Sequence, residues 1–240
     1  MSPLPTTGRV LRKVGHDHRT LAILLVLPCV VLGLVGWMFS GTDVVDRFGP
    51  VLLGLFPVIV MFLVTSVATL RERQSGTLER LMAGPVRRGD VVVGYAIAFA
   101  LVGAGQALVL TAFTVLVLGM DVAGDLGGVV LVAVLDAVLG TALGLAASAV
   151  ARTEFQAVQM MPLVLFPQLV LAGLFLPRDQ MPAVLEAVSR AMPLTYGTQA
   201  LQELAAGASL GDVRGAAGAV LAFIAGALVL GTLSLRRRTP

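Results

Sequence analysis

Residues 126–150 read LGGVVLVAVLDAVLGTALGLAASAV, and Asp136 is the single charged side chain among them. A helix needs about 20 predominantly apolar residues to cross the hydrocarbon core of a bilayer. A lipid-exposed segment must satisfy its own backbone hydrogen bonds, which favours a helix. The stretch also lacks the two-residue alternation that is typical of membrane barrel strands. It therefore predicts a membrane-spanning helix.

Five further apolar runs lie along the chain on either side of this helix. They cover residues 20–39, 50–70, 91–118, 157–176 and 215–235. The 240 residues are 57% hydrophobic and 13% charged, whereas soluble domains are about 45–50% apolar and about 25% charged. The sequence thus excludes a water-soluble globule. It predicts an all-α integral membrane protein of six transmembrane helices, with residues 1–240 as a single domain.

Positive charge is divided unequally between the segments that join the six spans. Loops rich in lysine and arginine remain cytoplasmic. One set of segments carries most of the 17 basic residues, namely Arg9, Arg12, Lys13, Arg19, Arg71, Arg73, Arg80, Arg87, Arg88, Arg152, Arg236, Arg237 and Arg238. The opposite set carries Arg47, Arg178, Arg190 and Arg214. We therefore expect both termini on the cytoplasmic side.

The basic segment 1–19 precedes the first span. Three apolar residues alternate there with three basic ones: Val10, Leu11 and Val14 with Arg9, Arg12 and Lys13. This pattern suits an amphipathic helix on the inner membrane surface, with its bases toward anionic headgroups. It suits equally well a basic flank that merely orients the first span.

The segment 71–90, RERQSGTLERLMAGPVRRGD, is the longest loop on the predicted cytoplasmic face. Gly76 and Gly84-Pro85 bracket a short helical piece in which Leu78 and Leu81 share one side. A short helix with an exposed apolar face suits insertion into a groove on a partner protein.

The segment 177–214 on the opposite face is too long for a plain connector. Val184, Leu185 and Val188 have helical apolar spacing, and Pro193 interrupts the pattern. A second helical stretch is predicted over residues 195–206. We expect two short helices lying at the outer surface.

Asp136 is the single acidic residue within the predicted spans. A charge at that depth costs about 2.5–3.5 kcal/mol on insertion scales, so such a residue usually faces protein or water. One interpretation is a carboxylate that couples transport to protons or substrate. The other, which we favour because no basic residue lies at membrane depth, is a packing residue at a subunit contact. Gly140 and Gly144 form a G-x-x-x-G pattern that predicts close helix packing.

Gln159 and Gln168 lie in the fifth span, beside Pro162 and Pro167. Proline bends a membrane helix and frees backbone carbonyls. A bent helix that carries glutamines suits the wall of a passage for a polar or amphipathic compound. It suits equally well a glutamine that only bonds a neighbouring helix.

Several catalytic and metal-binding motifs are excluded because a residue that each motif requires is missing or stands in the wrong context. The phosphate-binding loop G-x-x-x-x-G-K-[S/T] needs a lysine between glycine and a hydroxyl residue, and Lys13, the single lysine, lacks that context. Cys29 is alone, so no cysteine metal cluster or disulfide framework forms within the chain. The G-x-S-x-G match at 207–211 follows no strand and has no nearby histidine. The short run 16–18, His-Asp-His, indicates a charged flank rather than a metal site. We predict no catalytic or metal-binding residues.

Three stretches resemble ABC type-2 exporter permeases. Residues 71–81, RERQSGTLERL, with 84–88, GPVRR, are similar to that family's E-x-G-T-L-E-x-L…P-V-R-R stretch after the second span. Residues 181–185, MPAVL, and 192–196, MPLTY, resemble its L-P-x-W-L…N-P-L-T-Y stretch between spans five and six. Residues 17–22, DHRTLA, are similar to its D-P-R-T-L-A before span one.

The chain departs from the family pattern at a few positions. Val184 stands where the family often has tryptophan, and Met192 where it often has asparagine, which weakens any interfacial anchoring there. Gln74 and Ser75 add a residue relative to many family members.

The resemblance implies the membrane subunit of an efflux transporter, with ATP and Mg²⁺ bound by a separate ATPase subunit and no cofactor in this chain. It implies a second permease subunit, as a homodimer, in a bacterial plasma membrane, with a small-molecule substrate and no nucleic acid. By this resemblance the segment after span two is a coupling helix that contacts the ATPase through Glu72, Gly76, Thr77, Leu78, Glu79, Leu81 and Pro85. Arg87 and Arg88 would anchor the return to the membrane.

The resulting hypothesis is ATP-driven export of a hydrophobic or amphipathic compound, such as a drug or an antibiotic. The candidate path residues are Gln159, Gln168 and Asp136. The alternative is a proton-coupled secondary carrier that uses Asp136 and needs no ATPase. A third interpretation is a structural subunit that transports nothing.

Overall fold

The computed structural model describes residues 4–75, 88–173 and 178–236. Within these ranges the protein forms nine α-helices and one short 3-10 turn at Arg178–Gln180. The helices are α1 (Leu4–His16), α2 (His18–Met38), α3 (Val44–Gln74), α4 (Arg88–Leu116), α5 (Leu126–Val150), α6 (Glu154–Leu171), α7 (Ala183–Arg190), α8 (Pro193–Ala205) and α9 (Arg214–Arg236).

Six of these helices, α2 to α6 and α9, are long and apolar enough to cross a membrane. The prediction of an all-α protein with six spanning helices is therefore confirmed. The helix α3 extends beyond the apolar run at both ends, and at its C-terminal end the charged residues Arg71 and Glu72 are paired with side chains of other helices. The helix α6 ends at Leu171 rather than near residue 176. Gly173 follows it with a φ of +87°, a conformation that glycine adopts without strain and that does not continue a helix.

Helices α3 and α5 approach each other closely. A Cβ atom built on Gly140 would lie 2.4 Å from the carbonyl oxygen of Val58, and one on Gly144 would lie 2.6 Å from that of Phe62. Any larger residue at these two positions would separate the helices. The G-x-x-x-G pattern therefore serves packing, as predicted, and it does so within one chain.

The six spanning helices differ strongly in how much of their surface the protein covers. In the most apolar part of α3 and of α5, 61% of the residues are buried, against 17% in α2 and 22% in α6 and α9. Helices α3 and α5 thus form the centre. The apolar outer faces of α2, α6 and α9 are left for lipid or for another subunit.

The segment between the last two spanning helices contains two short helices, α7 and α8, as predicted. The first keeps an exposed apolar face at Val184, Leu185 and Val188, which suits a surface position. Its Arg190 side chain hydrogen-bonds Glu186 and holds the pKa of that carboxyl below its ordinary value.

The second short helix, α8, does not lie at the surface. Its residues Leu194, Thr198, Leu201 and Leu204 are fully buried. It contacts α5 at Asp136, ten residues after the first residue of α5, which is about 15 Å along that helix. Proline at its first position suits a helix start, because the missing N–H is not needed there. This helix therefore packs against both α3 and α5.

Candidate functional site

The last turn of α3 leads into the predicted coupling segment. The structure describes this turn up to Ser75, and the coupling candidates Gly76, Thr77, Leu78, Glu79, Leu81, Pro85 and Arg87 lie outside the described residues. Arg88 is the first residue of α4. The base of the segment, residues 71–75, is therefore the part whose contacts are defined.

Glu72 lies on the side of this turn that faces α1. Its side chain is 6% exposed and accepts hydrogen bonds from Arg9 Nη2 at 3.0 Å and from Lys13 Nζ at 3.1 Å. Arg9 Nη2 also donates to the hydroxyl of Tyr95 on α4 at 2.8 Å. One carboxylate thus joins α1 to the end of α3, and Arg9 extends the connection to α4. The ATPase contact inferred for Glu72 stays a prediction, and any such contact has to coexist with these ion pairs.

The opposite side of the same turn is tied to the connection between α5 and α6. Arg71 donates to both carboxylate oxygens of Glu154, each at 2.8 Å. Gln74 Nε2 donates to the carbonyl oxygen of Arg152 at 3.0 Å, and Arg73 donates to that of Ser148. Polar contacts therefore hold the base of the coupling segment on two sides.

Helix α1 packs onto the protein through its apolar face. Val10 and Val14 are buried together with Leu24 of α2 and Phe99 of α4. Thr7 Oγ1 donates to the carbonyl oxygen of Gly94 at 3.1 Å. The amphipathic helix is thus present, and its apolar face contacts protein. Its orientation toward the bilayer stays a prediction.

The three candidate path residues do not form one cluster. Gln159 is exposed on the outer face of α6. Gln168 is buried; its Nε2 donates to the carbonyl oxygen of Val164 at 2.9 Å, and its Oε1 accepts from the backbone N–H of Leu194 at 3.3 Å. Gln168 therefore supports the first turn of α8, the structural role that was one of its two interpretations.

Asp136 is fully buried within the protein, between α3 and α8. A Cβ atom on Gly197 would lie 2.0 Å from Oδ1, and one on Gly54 would lie 2.7 Å from Oδ2. Thr198 and Leu201 also line this space. Among the residues that the structure describes, neither carboxylate oxygen has a hydrogen-bond partner. The carboxyl group therefore lies against the backbone of Gly54 and Gly197, in the space that a side chain at either position would fill.

Sequence reasoning missed Arg9, Lys13 and Tyr95 as partners of the coupling segment. Arg9 and Lys13 are four residues apart and so share one helix face, which is a visible signal for a shared acidic partner. Nothing local points to Glu72 as that partner, because a chain segment of more than fifty residues separates them.

The sequence profile of the family described as ABC-2 type transporter matches residues 7–205. The chain belongs to the ABC-2 type transporter family. The matched region runs from α1 to the end of α8. It includes residues 71–75 at the base of the coupling segment and the buried Asp136. This ABC-2 type protein, with its six apolar helices, is thus a multi-pass membrane protein.

Curated relatives of this ABC-2 type protein include bacterial permeases. The chain is 25% identical over 155 residues to the probable multidrug ABC transporter permease YbhR of Escherichia coli strain K12, a match that covers 65% of this chain and 42% of YbhR. It is 27% identical over 168 residues to the linearmycin resistance permease protein LnrN of Bacillus subtilis strain 168, covering 70% of this chain and 43% of LnrN. The chain thus spans less than half the length of these relatives.

Proposed function

We propose that this ABC-2 type permease is the membrane subunit of an ATP-driven exporter in a bacterial plasma membrane. A separate ATPase subunit would bind ATP and Mg²⁺, and a second copy of the chain would complete the transport path. The observation that carries the proposal is the anchored base of the coupling segment, in a chain that belongs to a transporter family.

The geometry suits transmission of force from a cytoplasmic partner. A push on residues 76–87 would act on α3 through its last turn, which Glu72 ties to α1 and Arg71 ties to Glu154. Helix α3 contacts α5 backbone to backbone at Gly140 and Gly144, so the two move together. Closely packed helices transmit displacement because interiors are dense and resist compression. ATP can shift the protein between two arrangements only through contacts that differ between them.

The proposed substrate class rests on the apolar character of the spanning helices and on the names of relatives. The spanning helices expose apolar side chains such as Leu163, Phe166 and Val170 on α6. One relative is named a probable multidrug ABC transporter permease, and another a linearmycin resistance permease protein. We therefore propose a hydrophobic or amphipathic small molecule, such as a drug or an antibiotic, as substrate.

Replacing Leu78 and Leu81 together by aspartate tests the coupling role. Two carboxylates on the apolar side of the predicted short helix would oppose its insertion into an apolar groove. We expect the ATPase subunit to be lost when the tagged chain is purified, and efflux from whole cells to fall to the level of a strain without the permease. Membrane insertion, followed by the amount of full-length chain in the membrane fraction, should not change.

The matched control is the double substitution of Leu78 and Leu81 by methionine. Methionine preserves the apolar surface, so association and efflux should stay near the wild-type level. Normal copurification and efflux with both aspartates in place would refute the coupling assignment. Efflux that continues after ATP depletion and follows a proton gradient would instead support a secondary carrier.

A further inference from the structure

A cavity of about 280 Å³ lies where α1, α2, α3 and α4 meet. The part of its wall that belongs to α3 is a stripe of four apolar side chains, Leu63, Val64, Val67 and Ala68. These residues stay half-buried, although α3 is one of the two spanning helices that the protein covers most. The cavity is therefore a place where the central helix is left partly uncovered.

The cavity is long in the direction of α3. Its lining on this helix extends from Leu63 to Glu72, which is about 14 Å at a rise of about 1.5 Å per residue. Val10 and Val14 of α1 and Phe99 of α4 supply further apolar wall. Pockets for drug-sized molecules usually span about 300–1,000 Å³. The cavity therefore suits a narrow, chain-like part of a molecule rather than a bulky ring system.

Four charged side chains line the end of the cavity beside the base of the coupling segment, and each of them has a partner. They are Lys13, Asp17, Arg71 and Glu72. Lys13 is paired with Glu72, and Arg71 with Glu154. Asp17 caps the start of α2 through its side chain. Two of the four are basic and two acidic, so they carry no net charge. An ionic group without a partner is costly in apolar surroundings, so the cavity favours an uncharged ligand.

The cavity opens beside the outer face of α2. Ile23 lines it and is nevertheless 58% exposed. Val26, Leu27 and Val30 follow at helical spacing and extend the same exposed apolar face. The protein covers only 17% of the apolar part of α2, so an apolar molecule in the bilayer can reach the cavity from the side. On the predicted topology, this end of α2 lies in the inner leaflet.

We propose that this cavity is an entry site for the exported compound, which it takes from the inner leaflet as an uncharged, chain-like apolar molecule. This inference rests on the export function proposed above. A bound molecule contacts α1 through Val14 and the last turns of α3 through Ala68. These are the two helices that the ion pair of Lys13 and Glu72 joins. Occupancy thus stabilises the attachment of α1 to the base of the coupling segment, because a ligand stabilises the arrangement that binds it.

Photolabelling of the full-length chain in lipid nanodiscs, with its bound subunits, tests the site. Three alkyl diazirine probes of equal chain length are compared, which end in a hydroxyl, a sulfonate or a quaternary ammonium. The label on α1 and on residues 63–72 is divided by the label on the exposed face of α9, which corrects for the amount of probe in the bilayer. We expect the hydroxyl probe to exceed each charged probe by about tenfold, equivalent to about 1.4 kcal/mol.

Two variants fill the cavity from α3, Val67→Trp and Ala68→Phe. Each should reduce the label on α1 and on residues 63–72 to background, while the label on α9 stays unchanged because the chain remains inserted. The matched control is Val109→Trp, which adds the same bulk on the exposed face of α4, outside the cavity lining. It should be labelled like the wild type. Label that persists in both filling variants would overturn the cavity assignment.

The remaining outcomes separate the ligand class, the entry role and the export function. Equal normalised yields of the three probes would overturn the uncharged ligand. An unlabelled cavity in the intact complex would show that another subunit covers the opening, and would overturn the entry site. Efflux of the hydroxyl probe from cells should require ATP and fall in Val67→Trp. Normal labelling without such efflux would contradict the export function and leave the binding site in place, whereas normal efflux in Val67→Trp would contradict the entry role alone.

Discussion

At the scale of single residues, Asp136 and Gly197 depend on each other. The carboxyl group occupies the space that any side chain at position 197 would need, since a Cβ atom there would lie 2.0 Å from Oδ1. The contact joins α5 to α8 in the middle of the molecule. With no cation within hydrogen-bonding distance among the described residues, the group fits here as a packed polar side chain rather than as half of an ion pair.

Gly197→Ala is therefore expected to destabilise the protein. Overpacking of a dense interior costs about 1–3 kcal/mol, which should lower the midpoint of thermal unfolding in detergent. Asp136→Ala vacates the space, so the double variant should be more stable than the sum of the two single changes predicts. Gly105→Ala is the control, because nothing lies within 4 Å of a Cβ atom at that position. Additive effects of the two changes would contradict the proposed contact.

Glu72 differs from the other paired carboxylates in its burial. Its side chain is 6% exposed, whereas that of Glu154 is 41% exposed. Exposed ion pairs contribute about 0–1 kcal/mol to the free energy of unfolding. Removing the charge of a buried carboxylate costs more, because its hydrogen-bond donors are left poorly paired.

Glu72→Gln should lower the free energy of unfolding by about 1–3 kcal/mol. It should also release α1, so that limited proteolysis cleaves the protein before α2 more rapidly than in the wild type. Glu154→Gln serves as the comparison and should cost less than about 1 kcal/mol. Equal protease resistance of α1 in Glu72→Gln and wild type would show that apolar packing alone holds this helix.

At the scale of elements, α8 shows how a short helix is held inside a membrane protein. Its first N–H groups have no partner within the helix, as at every helix start. Gln168 of α6 supplies an acceptor for the N–H of Leu194. The hydroxyl of Thr198 lies within hydrogen-bonding distance of the carbonyl oxygens of Leu194, at 2.9 Å, and of Ala172, at 3.0 Å. Side chains of the helix and of its neighbour thus satisfy polar groups that lipid or packed protein would leave unpaired.

Gln168→Leu should destabilise α8 by about 1–3 kcal/mol, because the N–H of Leu194 would lose its partner in a buried position. Hydrogen exchange at the start of α8 should become faster. Gln159→Leu on the exposed face of the same helix should leave both the unfolding temperature and the exchange unchanged. If transport fell in Gln159→Leu at normal stability, this residue would belong to the substrate path. Unchanged exchange in Gln168→Leu would contradict the capping role.

At the scale of the whole molecule, two central helices carry most of the intramolecular packing. Helices α3 and α5 meet through Gly140 and Gly144, and α8 contacts both of them at Gly54 and Asp136. The predicted coupling segment follows α3 in the sequence, so a displacement of the last turn of α3 would reach the centre through that helix alone. Helices α2, α6 and α9 keep broad apolar faces that only a bilayer or another subunit can cover.

Local patterns predicted the helices well. Apolar runs of about 20 residues located all six spanning helices, because the length needed to cross a bilayer is a property of each run alone. Pro193 predicted the break between α7 and α8 to within two residues. Helix ends were less accurate, since charged residues such as Asp46 and Arg71 continue α3 beyond its apolar part.

The amino-acid sequence by itself determined the spanning helices, the glycine pair of α5 and the family of the protein. The tertiary structure alone decided that Glu72 faces α1 and that Asp136 lies between Gly54 and Gly197. It also decided that α8 is buried within the protein rather than exposed at its surface. The physical reason is that hydropathy and turn chemistry act over a few neighbouring residues. Which helix faces meet depends instead on the fit of side chains from distant parts of the chain.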